Sequence, residues 1–144
     1  DVVLGIESKS SVIDSKGNIK RFSNCPKFYT LLAKPEFGCS TKTIYSKVKK
    51  FNKLKYNKPK KFMFSKNYLS NQENDLEKIV FSNYPKLKNL KNFLLENDDL
   101  SFVRMTGSGS VIIAYFQSKQ ACEKAKVKFR RKYKNYWCNT AKTI

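Results

Sequence analysis

Histidine is missing from all 144 residues. Its absence removes Ser-His-Asp and Cys-His nucleophilic chemistry, imidazole proton shuttling and every mixed Cys/His zinc site. Cysteine is sparse, and Cys25, Cys39, Cys122 and Cys138 include no C-x-x-C spacing. That pattern speaks against a four-thiolate metal site and for reduced thiols packed as small apolar groups. No apolar run approaches the roughly 20 residues that cross a bilayer. The opening "DVVLGIES" has no basic n-region or signal-type stretch, so the chain reads as soluble, with no membrane partner. It begins without Met on a strand-like segment and therefore also reads as cut from something longer.

Acidic residues are scarce too, 11 against 30 basic ones, which leaves a formal charge of +19. Such a balance ordinarily suggests a polyanion. Only Arg21, Arg104, Arg130 and Arg131 are arginine, however, and lysine is spread along the whole chain beside abundant Asn, Ile, Tyr and Phe. Arginine supplies the fork that reads phosphates and bases. The lysines read as composition bias and solvated faces, and no nucleic-acid partner is expected.

What remains is enough apolar residue for one ordinary core, and one domain is expected. "SSVIDSKGNIKRF" at 10–22 predicts a hairpin turning at Ser15-Lys16-Gly17-Asn18. "KFYTLLAK" at 27–34 predicts a strand stopped by Pro35. Ser40 can then cap a helix whose inner face would hold Ile44, Tyr45, Val48 and Phe51. Residues 52–72, rich in Lys and Asn without a clean period, read as an irregular connection. Asn74 or Asp75 opens a short helix, and Pro85 starts a second with Leu87, Leu90 and Leu94 inward. Strands at 101–106 and 111–116 flank a glycine turn. A helix capped by Ser118, with Ala121, Cys122, Ala125 and Phe129 inward, leads to a strand at 134–141. The order β-α-β-β-α-β is the ferredoxin-like, split βαβ arrangement: an α+β domain with one antiparallel sheet packed on helices.

Within it, "MTGSGSVIIAYF" at 105–116 asks whether Thr106, Gly107, Ser108, Gly109 and Ser110 approach a phosphate. A P-loop would need Lys-Ser/Thr after its last glycine and a helix behind it. Here a β-branched run follows, so by itself the stretch reads as a tight turn between strands.

"GCSTKTIY", then "NDLEKIVFSNYPKLKNLKNFLLE", then "VRMTGSGSVIIAYF", in that order, resemble the C-terminal part of the 4-diphosphocytidyl-2-C-methyl-D-erythritol kinase family, within the GHMP kinase superfamily. The resemblance spans essentially the whole chain. It implies that residues 1–25 end an N-terminal kinase domain and 26–144 form the GHMP C-terminal domain. It implies ATP-dependent phosphorylation of the 2-hydroxyl of cytidine-diphosphate methylerythritol, in the methylerythritol phosphate route to isoprenoid precursors. ATP would be co-substrate and bring Mg²⁺ with it, with no metal site of this chain's own. The compartment would be bacterial cytoplasm or a plastid-type organelle. The missing partner would be the N-terminal half, which in the family holds a catalytic lysine and the phosphate loop, so the chain alone would be inactive.

The same resemblance assigns residues. Asp1, opening "DV", matches the catalytic aspartate that would accept or orient the hydroxyl proton; the family's following proline is replaced here by Val3. Tyr45 matches a ring placed against cytosine, and Thr41 a position near the cytidine. Thr106 to Ser110 match the third signature, a turn lining the active-site floor and facing the N-terminal phosphate loop. Read from periodicity alone, Tyr45 is equally a core aromatic and Thr41 equally a helix-capping residue. Two rivals stand beside this reading: another GHMP-type kinase, and a ferredoxin-like RNA-binding module, for which "VIIAYF" is too apolar on both faces.

Overall fold

A computed structural model of the chain describes residues 6–14, 16–49 and 58–144. Asp1, Ser15 and Phe51 lie outside the described residues. Strands β1 (Ser10–Ile13) and β2 (Ile19–Phe22) pair antiparallel as a two-stranded sheet of their own, with Ser10 opposite Phe22 and Ile13 opposite Ile19. The hairpin is where the sequence predicts it.

Four further strands make the main sheet: β3 (Tyr29–Lys34), β4 (Leu100–Met105), β5 (Ile112–Phe116) and β6 (Trp137–Lys142). They lie in the order β4-β5-β3-β6, every neighbouring pair antiparallel. Register sets Leu31 of the central strand β3 between Ala114 and Thr140. The crossover from β3 to β4 carries helices α1 (Thr41–Ser46), α2 (Lys66–Ser70), α3 (Glu77–Asn83) and α4 (Pro85–Leu95), with a 3-10 turn at Lys61–Phe64. The crossover from β5 to β6 carries α5 (Lys119–Lys132). This is the expected ferredoxin-like topology.

Alternation along the strands decides which face meets the helices. Leu31, Ala33, Val103, Met105, Ile112, Ala114, Phe116 and Cys138 turn inward and join Leu87, Leu90, Phe93 and Leu94 of α4 and Ala121, Cys122, Ala125 and Phe129 of α5. Fully burying a Leu or Phe side chain contributes about 1.5–3 kcal/mol. Leu87, Leu90, Leu94, Phe116 and Phe129 are all inaccessible to solvent, so this layer provides much of the driving force. The cysteines act as the sequence suggests: all four are free, and burial pushes the Cys122 thiol up to about 11.

Two expectations are corrected. The segment read as an irregular connection is helical at 61–64 and 66–70, because Ser65 accepts from the Tyr68 amide and caps α2. Its Lys and Asn content hid that start signal. Helix α1 is also shorter than its apolar spacing predicts: it ends at Ser46, and within it only Ile44 is buried. Tyr45 is 53% exposed, so it is not a core aromatic.

Candidate functional site

The turn between β4 and β5 is closed by two backbone bonds, Thr106 N–H to Val111 O and Gly109 N–H to Thr106 O, both 3.0 Å. Gly107 (φ 51°) and Gly109 (φ 86°) adopt the left-handed conformation that glycine takes without a Cβ penalty. Around Gly107 there is open space for a Cβ, so only its backbone conformation calls for glycine. Gly109 is enclosed: an added Cβ would meet Cys39 Sγ at 3.1 Å, Met105 Sδ at 3.2 Å and Val80 Cγ1 at 3.6 Å. The turn therefore presses onto the loop before α1 and onto α3.

Polar side chains from three other elements hold it. Asn74 Nδ2 donates to the carbonyls of Met105 (3.0 Å) and Gly107 (2.7 Å), while its Oδ1 accepts the Leu76 amide at 3.0 Å. Glu77 Oε1 accepts the Met105 N–H at 2.7 Å, and its second oxygen pairs with Lys91. Thr41 Oγ1 and Ser108 Oγ share a hydrogen bond of 2.9 Å that either hydroxyl can donate. Thr41 begins α1 and Tyr45 lies one turn further on, so that bond ties the helix bearing Tyr45 to the glycine turn.

Arg104, on the sheet face opposite α4 and α5, donates to the carbonyls of Leu69 and Gln72, the latter at 2.7 Å. It satisfies carbonyls at and just beyond the end of α2, as a cation at a helix C-terminus does. Burial lowers the Arg104 pKa, and the neighbouring Tyr115 and Glu77 oppose that shift. Burial raises the Tyr115 hydroxyl, with Arg104 pulling the other way.

These groups enclose a cleft of about 500 Å³ lined by Tyr45, Glu73, Asn74, Asp75, Arg104, Thr106, Gly107 and Tyr115, among others. A larger hollow of about 780 Å³ runs along α5 between Phe93, Val127 and Lys132, and it shares no residue with the cleft. We place the site at the smaller one, where the polar groups converge. The structure thus brings Tyr45, Thr41 and the 106–110 turn together, whereas Asp1 lies outside the described residues. Ser110, which the sequence groups with the turn, is buried beneath it, and its hydroxyl has no partner among the described residues.

Sequence reasoning reads Asn74 as a helix start and assigns nothing to Glu77, Arg104 or Tyr115. The usable signal was Arg104 itself, a cation inside the apolar strand "FVRM", which must find acceptors when folded. The aromatics an RNA-binding sheet would offer to bases are spent on one another: Phe102 and Tyr115 stack at 4.2 Å, with Phe28 edge-on to both. Among the described residues no group of three or more His, Cys, Asp or Glu could hold a metal ion, and no helix is long and apolar enough to cross a membrane.

Comparison with known proteins gives concordant results. The family profile described as "GHMP kinases C terminal" matches residues 62–135. A protein of Pelagibacter ubique named 4-diphosphocytidyl-2-C-methyl-D-erythritol kinase is 51% identical over all of this chain and 51% of its own length. A Clostridium tetani protein of the same name is 34% identical over 81% of this chain and 42% of its own. The chain thus spans about half the length of the curated relatives it matches. A crystal structure titled 4-(cytidine 5'-diphospho)-2C-methyl-D-erythritol kinase superposes with a TM-score of 0.70 at 21% identity, over 96% of this chain and 50% of that one, which shows the shared fold. By its matched domain, its topology and its relatives, the chain belongs to the GHMP kinase family and carries that family's C-terminal domain.

Proposed function

We propose that this chain is the C-terminal part of an ATP-dependent kinase acting on the 2-hydroxyl of 4-(cytidine 5'-diphospho)-2-C-methyl-D-erythritol, in the methylerythritol phosphate route to isoprenoid precursors. The observation that carries the reading is the exposed Tyr45 ring in one cleft with the glycine turn. An exposed aromatic is costly to leave in water and well suited to a base; stacking of that kind is worth ~1–3 kcal/mol. The diphosphocytidyl group in the names of the Pelagibacter and Clostridium relatives supports cytosine as that base.

In this reading Tyr45 holds the cytosine and Thr41 helps place the cytidine. Gly107 and its neighbours floor the reacting end, where small residues let the phosphate-bearing half approach. Asp1 accepts the proton of the attacking hydroxyl or orients it for in-line transfer. Residues 1–25, with the separate β1–β2 sheet, finish the N-terminal kinase domain, and 26–144 are the C-terminal domain. ATP supplies the transferred phosphoryl group. The described residues offer no acidic cluster fitted to Mg²⁺, so no step is assigned to the ion here.

The test joins the N-terminal half of the Pelagibacter relative to residues 1–144 and measures ATP consumption that depends on the cytidine substrate. Turnover by this hybrid, with none by the 144-residue chain alone, is the expected result. In the hybrid, Asp1→Asn lowers kcat by about 10² to 10⁴-fold, the range of general-base contributions. Tyr45→Ala raises KM by about 10 to 100-fold at little change in kcat, because stacking on an unreacting base is equal in ground and transition states. A folded hybrid that ignores the cytidine substrate, or normal KM in Tyr45→Ala, counts against the reading.

A further inference from the structure

The carbonyls that Asn74 holds determine which way the turn presents its amides. In a trans peptide the C=O and the N–H that follows it point in opposite directions. Peptide 107–108 is trans, so fixing the Gly107 carbonyl on Asn74 Nδ2 at 2.7 Å sends the Ser108 N–H to the side away from Asn74. The amides of Thr106 and Gly109 are spent within the turn. Those of Gly107 and Ser108 have no acceptor among the described residues. Successive unspent amides beside a left-handed glycine form the kind of concavity that takes anions.

We infer that Asn74 is a positioning residue for phosphoryl transfer: it locks peptide 107–108 so that the Ser108 amide faces an oxygen of the phosphoryl group in transfer, beside the Gly107 amide, whose own peptide is held by the bond from Gly109 N–H to Thr106 O. The inference rests on the kinase reading for its anion, and on the hydrogen-bond geometry for the lock. Asn74 is suited to it because its Oδ1 is engaged by the Leu76 amide, which leaves both Nδ2 protons for the two carbonyls. Glu77, three residues on, holds the N–H of Met105, so the chain entering the turn is tied on both edges to one short segment. Glycine at 107 allows peptide 107–108 to rotate at low cost, and the clamp removes that freedom. Donors fixed in advance toward developing charge act on kcat, because nothing need reorganise during the reaction.

The decisive variant is Asn74→Asp, which keeps the shape and the acceptor for Leu76 but sets a carboxylate against two carbonyls. In the hybrid enzyme kcat falls about 10 to 100-fold, with KM for the cytidine substrate within about threefold. Asn74→Ser also keeps an acceptor for Leu76 and is too short to span both carbonyls; it gives the same split and carries the test should Asn74→Asp fail to fold. A second readout needs no activity. In the 144-residue chain, hydrogen-exchange protection of the Thr106 and Gly109 amides falls at least about tenfold in the variant, while that of Ile112–Phe116 is unchanged. Wild-type kcat in a folded variant, a rise in KM alone, or unchanged protection of the turn would overturn the inference. An inactive parent hybrid counts against the kinase reading, and the exchange measurement still decides the clamp.

Discussion

Two glycine turns among the described residues are held in opposite ways. At the β1–β2 hairpin, Gly17 (φ 83°) would place a Cβ in open space, and the turn is organised by its own residues. Asp14 Oδ1 accepts the amides of Lys16 and Asn18, and Oδ2 accepts Asn18 Nδ2, all at 2.9 Å. At the β4–β5 turn, Gly109 has nearly the same φ, 86°, yet it is pressed against Cys39, Met105 and Val80. There the stabilising groups come from Asn74, Glu77 and Thr41, between 28 and 67 residues away along the chain. A self-contained turn is a connector. A turn fixed by the rest of the fold can hold a geometry that its own residues would not keep, which is what a site requires.

The contrast is sharpest for Gly109→Ala against Gly17→Ala. At 109 the left-handed strain of about 1–2 kcal/mol adds to overpacking of about 1–3 kcal/mol against the two sulfur atoms. Urea unfolding is expected to show a total loss of about 2–5 kcal/mol. A midpoint equal to that of the parent chain would show that Cys39 and Met105 move aside freely.

Glu77→Ala comes next, at about 2–3 kcal/mol, because it leaves the Met105 N–H without its acceptor and Lys91 without its counter-ion in a largely buried place. Glu77→Gln keeps an acceptor and should lose less than half as much. Equal losses in the two variants would show that the charge on Lys91, not the turn amide, is what Glu77 serves. Gly17→Ala follows at about 1–2 kcal/mol, the strain term alone. A larger loss would mean that the hairpin turn is also packed against something.

The smallest expected effect is a pH dependence confined to the hairpin. The Asn18 side chain, then its amide, hold the Asp14 carboxyl below the usual carboxylate range. A folded pKa below the unfolded one gives stability that is present above the unfolded value and lost as pH falls through the folded value. The protection of the Lys16 and Asn18 amides, taken relative to their intrinsic exchange at each pH, should therefore fall on acidification while that of the Thr106 and Gly109 amides does not respond. Asp14→Asn should abolish that response; its persistence would assign the titration to another group.

Elements whose periodicity is local and strong were legible from the sequence. The inward set of α4 and α5 and the β4–turn–β5 unit lie within a residue or two of where the pattern puts them. Residues 61–70 were not, since Lys and Asn dilute the apolar signal and α2 rests on a single Ser65 cap and on the carbonyls that Arg104 reaches. Tyr45 was ambiguous for a related reason. Its spacing from Ile44 and Val48 fits an inner face, and only the early end of α1 at Ser46 turns it outward.

The sequence by itself therefore determined the order of the strands, the α+β class, the inward faces of α4 and α5 and the presence of a glycine turn. Those follow from the periods of 2 and 3.6 residues and from the φ values open to glycine, which act over a few neighbours. Tertiary structure alone decided that Asn74 clamps the turn, that Thr41 meets Ser108, that Arg104 caps another helix and that Tyr45 faces a cleft. Each of these is a contact between polar groups far apart in the chain. No period marks such a pair beforehand, because its partner is chosen by where the packed sheet and helices bring unsatisfied donors and acceptors together.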